Sequence, residues 1–123
     1  ESPLLDVDWQ NHTDTDISRP AITRHLNLIL QRLGSVDTVK IEIIVVGDKA
    51  IQQLNHKFRQ VDQPTDVLSF PNDPDLNPEL LGSVAVSVDT AERQAKEAGI
   101  NLEDEVKMLA GHGLLHLLGY HHA

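Results

Sequence analysis

Apolar positions recur along this chain in two rhythms, and the switches between them mark its elements. Leu4-Leu5-Asp6-Val7-Asp8-Trp9 alternates in part, with the period of two that a half-buried strand requires. The rhythm then lengthens. Ile22, Leu26, Ile29, Leu30 and Leu33 recur at three- and four-residue spacing and predict a helix that Ser18 caps, that carries Arg19-Pro20 in its first turn, and that Gly34 ends. Val39 to Val46 is β-branched and mostly apolar, a central strand. Asp48 is placed to cap a second helix in which Ile51, Leu54 and Phe58 share a face. Asp62 to Thr65 reads as a loop, Asp66 to Phe70 as a short strand, and Asn72 to Pro78 as a polar excursion. Val84 to Val88 is a further strand. Two helices follow, about Thr90 to Ala98 and, capped by Asn101, Leu102 to Leu118. The order βαβαββαα predicts an α+β fold, a mixed sheet of about four strands packed with about four helices, with residues 1–123 forming one domain.

Composition narrows the chemistry. Aromatic residues make up 3% of the chain, so aliphatic side chains must supply the core. There is no cysteine, which excludes disulfides and thiolate metal sites. No apolar run approaches the roughly 18 residues of a membrane span. The opening Glu1-Ser2-Pro3 is unlike a basic, apolar signal peptide, so a cytoplasmic protein without a membrane partner is expected. The net charge of −9 argues against a nucleic-acid partner. The charge is unevenly spread, however: residues 17 to 60 hold seven Lys/Arg (Arg19, Arg24, Arg32, Lys40, Lys49, Lys57, Arg59) against Asp37, Glu42 and Asp48. Such a chain either presents one basic face or carries an ordinary mix of solvated charge.

The densest chemistry is in Gly111-His112-Gly113-Leu114-Leu115-His116-Leu117-Leu118-Gly119-Tyr120-His121-His122. Residues four apart in a helix stack on one face, about 6 Å between Cβ atoms, so His112 and His116 lean together. Their nitrogens can then span the roughly 3.3 Å edge of a tetrahedron with Zn–N bonds of about 2.0–2.1 Å. Gly119 ends the helix in the left-handed conformation, and the reversal returns His122 as a third ligand. One such histidine would ordinarily be a rim residue; the pair in register with Gly119 and His122 predicts a metal site holding one zinc ion. Three neutral nitrogens leave a fourth position for water, the pattern of catalytic zinc. Glu103, Asp104 and Glu105 suit the positive end of the helix dipole and read as capping rather than chemistry. Gly111 and Gly113 inside a helix cost about 1 kcal/mol each relative to Ala, so something is expected to approach closely there.

Metzincin proteases share the spacing His-x3-His-x2-Gly-x2-His, but they carry a glutamate after the first histidine as general base. Gly113 stands there, and the chain ends at Ala123 before any Met-turn, so peptide hydrolysis is a remote alternative. The run Gly111 to His122 resembles instead the HGxLHLxGYDH signature of the YbeY family, single-strand-specific endoribonucleases of ribosomal RNA maturation. Pro64 to Pro71 looks like that family's PTDVLSFP stretch, Leu54 to Arg59 like the segment carrying its functional arginine, and Leu81-Gly82-Ser83-Val84 like its LGDI strand start. His121 and Ser83 both stand where the family has Asp.

That resemblance implies an endoribonuclease with RNA as partner and ribosomal proteins or assembly factors around it. Arg59 is then the catalytic guanidinium, its planar fork matched to phosphate. A zinc-stabilised module that docks on the ribosome without cutting is the alternative, and the acidic net charge suits it.

Overall fold

The computed structural model describes residues 5–34, 38–73 and 75–119. Its elements are β1 (Leu5–Asn11), α1 (Arg19–Arg32), β2 (Val39–Val46), α2 (Asp48–Arg59), β3 (Val67–Pro71), β4 (Leu80–Ser87), α3 (Val88–Ala98) and α4 (Leu102–Leu117). This is the predicted order. Leu4, predicted in the first strand, lies outside the described residues.

The four strands form one sheet in the order β1-β2-β4-β3, with β1, β2 and β4 parallel and β3 antiparallel to β4 at the edge. Alternation along the strands divides the core in two. Leu5, Val7, Ile41, Ile43, Val45, Val84 and Val86 point to one face and pack with Ile22, Leu26 and Leu30 of α1, Ala91 of α3, and Val106, Leu109, Ala110 and Leu114 of α4. Each large aliphatic side chain buried there contributes about 1.5–3 kcal/mol. Val46, Leu68 and Ala85 point the other way, where Ile51 and Leu54 of α2 cover them together with Phe70 of β3. The mixed sheet is thus sandwiched along its β4–β3 side and open on one face toward β1.

Caps follow the sequence closely. The Ser18 hydroxyl accepts from Ala21 N, Asn101 accepts from Asp104 N, and Gly34 takes φ +75°. Two expectations shift. Gly47, not Asp48, occupies the cap position of α2, because Asp48 is drawn away to other partners: it accepts from Ser87 Oγ and Thr90 Oγ1, both at 2.6 Å, and from Arg93 at 2.9 Å. Val88 opens α3 rather than ending a strand, since Ser87 Oγ accepts from Thr90 N and caps the helix there. The excursion after β3 is a hydrogen-bonded hairpin loop, in which Asn72 Nδ2 donates to the carbonyls of Asp73 and Asn77. No helix among the described residues is long and apolar enough to cross a membrane.

Candidate metal and phosphate site

The end of α2 and the C-terminal half of α4 face each other at the free edge of β3. There Arg59, Val67, Leu68, Ser69, His112, Gly113 and His116 line a cleft of about 370 Å³. α4 lies on one face of the sheet and α2 on the other, so Arg59 reaches the cleft around the edge strand. Its helix ends in a left-handed Gln60 (φ 59°), with Gln60 N donating to His56 O and Val61 N to Asn55 O. The loop beyond is tied back by the buried Asn55, whose Nδ2 donates to Gln63 O at 2.9 Å, and by Gln52 Nε2 on Asp62 Oδ1 at 3.0 Å. Asp66 closes the loop by accepting from Val67 N at 2.8 Å, the turn-organising role its position suggests. Arg59 is therefore exposed on a rigidly anchored helix end.

His112 and His116 stand one turn apart on α4, exposed on the cleft wall. Gly113 between them explains itself. A Cβ there would lie 2.6 Å and 2.9 Å from the two Cγ atoms of Val84 and 3.2 Å from Ser69 Oγ, so α4 seats its backbone directly on β4. A Cβ on Gly111 would press to 3.1 Å from Ile29 of α1. Both glycines meet the expected close approach. Ser69 Oγ bonds Gly113 O at 3.3 Å and ties β3 to this helix. Gly119 takes φ +94°, the left-handed turn expected after the histidine pair.

Imidazole nitrogens on a cleft wall, in a chain without thiols, fit a borderline metal such as zinc. Among the described residues no group of three or more His, Asp or Glu side chains is disposed to hold an ion. His122, the third predicted ligand, lies outside the described residues with Tyr120 and His121.

Two residues are buried differently from what their positions suggest. Glu105 stands in the acidic first turn of α4 as expected, but it is 2% exposed. Seven residues before His112, it falls on the same helix face, two turns away. Burial pushes its carboxyl above the ordinary value, the Asp66 charge adds to that rise, and His112 opposes it. Phe58, expected on the core face of α2, is 53% exposed, while the buried face is Ile51 and Asn55. Ser83, where the family motif has Asp, donates to Glu42 Oε1 at 2.8 Å across the β2–β4 pairing, and Gln10 donates to the other oxygen. An aspartate there would set two carboxylates opposite each other, which is destabilising.

A mixed sheet packed by helices on both faces thus brings a His-x3-His helix and an arginine together at its edge strand. The sequence model for Endoribonuclease YbeY matches residues 6–123. Endoribonuclease YbeY of Aquifex aeolicus is 44% identical over 107 residues, covering 86% of this chain and 71% of that one. The protein of the same name from Nautilia profundicola is 40% identical over 118 residues, covering 94% and 78%. The solution structure of TM1509 from Thermotoga maritima superposes with a TM-score of 0.65 at 27% identity, covering 96% of this chain and 75% of that one. The chain belongs to the YbeY endoribonuclease family.

Proposed function

We propose that this chain is a zinc-dependent, single-strand-specific endoribonuclease of ribosomal RNA maturation and ribosome quality control. The observation that carries the reading is that Arg59 of α2 and the pair His112/His116 of α4, far apart in sequence, line one cleft at the β3 edge. His112 and His116, with His122, would hold one zinc ion, which when bound supplies a Lewis acid and an activated water. The remaining work falls to the chain itself. Arg59 presents a planar fork of donors to a phosphate in the cleft and stabilises the charge that grows on its nonbridging oxygens as the bond to the leaving oxygen breaks. The tied loop after α2 fixes the helix end from which that fork extends. Seating α4 on β4 through Gly113 keeps the histidine face at a fixed distance from the β3 edge. The substrate is RNA, ribosomal proteins or assembly factors are the expected partners, and the cytoplasm is the expected location.

The test is cleavage of a structured RNA with single-stranded tails, with and without chelator, by the parent and four variants. His112→Ala and His116→Ala each lose stoichiometric zinc, read by mass spectrometry of metal content. Arg59→Lys keeps zinc and fold but loses about 10²–10³ in rate, because a point charge replaces the bidentate fork. An Arg59→Glu protein that cuts at the parent rate, or a histidine variant that keeps one zinc per chain, overturns the assignment. Binding without cleavage by the parent returns the docking-module reading.

A further inference from the structure

Phe58 is one of only two phenylalanines in the chain, and both are in one place. Its ring packs against Phe70 with centroids 4.9 Å apart and planes inclined by 56°. Lys57 Nζ lies 5.2 Å from its centroid. Neither ring lines the cleft itself, but Arg59, which follows Phe58 at the end of α2, and Ser69, which precedes Phe70 on β3, both do. The pair therefore lies beside the cleft, on the α2 side of the edge strand. A single exposed apolar side chain needs no explanation. An exposed ring backed by a second ring, overlaid by a cation and adjoining an arginine in a cleft is different, since π faces and cations together are what bind single-stranded nucleic acid.

We propose that Phe58, supported by Phe70, is a stacking platform for one unpaired base of the RNA, next to the phosphate that Arg59 meets. The inference rests on the RNA-cleaving reading above and gives it a source of strand selectivity. A base inside a duplex has both faces covered by its neighbours, whereas an unpaired base can be splayed onto an aromatic ring. Lys57 covers the ring in the free protein through a weak exposed contact. An incoming base takes that face, and the flexible ammonium moves to the flanking phosphate.

The experiment measures binding of a short single-stranded oligoribonucleotide, phosphorothioate-linked to slow cutting, to the intact protein. A single abasic nucleotide is scanned along the oligonucleotide. Parent affinity falls about tenfold at one position. Phe58→Leu, which keeps apolar cover on Phe70, loses a similar factor and is insensitive to the abasic nucleotide at that position, while Phe58→Tyr binds like the parent. A scan with no sensitive position in a parent that binds and cuts RNA overturns the platform alone, and so does Phe58→Leu binding as tightly as the parent. A parent that neither binds nor cuts RNA overturns both this inference and the reading beneath it.

Discussion

At Gly113 the absence of a side chain is a structural requirement. Helix propensity by itself favours alanine over glycine by about 1 kcal/mol. The Cβ would stand 2.6 Å from a Val84 methyl that belongs to the packed core and cannot swing away. Overpacking of this kind costs about 1–3 kcal/mol and shifts the backbone. Gly113→Ala is therefore expected to lower stability in urea denaturation and, on the metal site proposed above, to impair zinc retention by moving the helix that bears His112 and His116. A variant as stable as the parent would show that α4 does not rest on β4 as described. Gly119→Ala tests a different property, because no atom of the described residues lies within 4 Å of its Cβ position and the left-handed backbone itself resists substitution.

Helix α2 is held at both ends by polar ties. At its start Asp48 gathers Ser87, Thr90 and Arg93 from the β4–α3 junction, and Asp89 Oδ2 accepts from Asp48 N at 2.9 Å. Burial by itself would raise the Asp48 carboxyl, but the hydrogen bonds from Ser87, Thr90 and Arg93 and the Arg93 charge outweigh it and hold the group below its ordinary value. Arg93 has a side chain 60% exposed, so the ion pair itself contributes little. The two hydroxyl bonds to a charged acceptor are worth more, about 1.5–3 kcal/mol each at most. Asp48→Ala is expected to cost about 2–3 kcal/mol, and Arg93→Ala under about 1 kcal/mol, in chemical denaturation. The reverse ranking would assign the tie to the ion pair. Because α2 ends in Arg59, the same Asp48 change should also slow RNA cleavage.

Across the whole molecule, three groups among the described residues make the folded state respond to pH: His25 and Asp48, both lowered, in one sense and Glu105, raised, in the other. His25 of α1 is lowered by burial, then by the charges of Lys107 and Arg32, against the opposing Asp104. Its contribution is present above the ordinary value of 6.5 and is lost as pH falls through the depressed folded value. Glu105 is raised, so its contribution is present below the ordinary 4.5 and is lost as pH rises through the elevated folded value. Glu105→Gln keeps the shape without the charge. It should raise the urea midpoint at pH 7 relative to the parent and leave it nearly unchanged at pH 4. Equal midpoints at both pH values would mean that Glu105 carries no desolvation penalty.

Whatever depends on a few neighbouring residues could be read without the fold. Ser18 and Asn101 as caps, the glycine turns at Gly34 and Gly119, the His112/His116 face and the βαβαββαα order all follow from interactions within a turn or from periods of two and 3.6. Local chemistry also marked Gly111 and Gly113 as places of close approach, without naming what approaches. Strand order, the antiparallel edge position of β3, and the meeting of Arg59 with the histidine helix depend on pairing between distant segments, which spacing along the chain does not encode. The same reason moved three residues from their expected places. Asp48 left its cap for partners some forty positions away. Glu105 was buried because α4 packs against α1, α3 and the β4–β3 edge of the sheet. Phe58 was left outside because α2 meets the sheet through Ile51 and Leu54. Which side of a helix is buried depends on where its partner surface ends, and only the assembled sheet sets that edge.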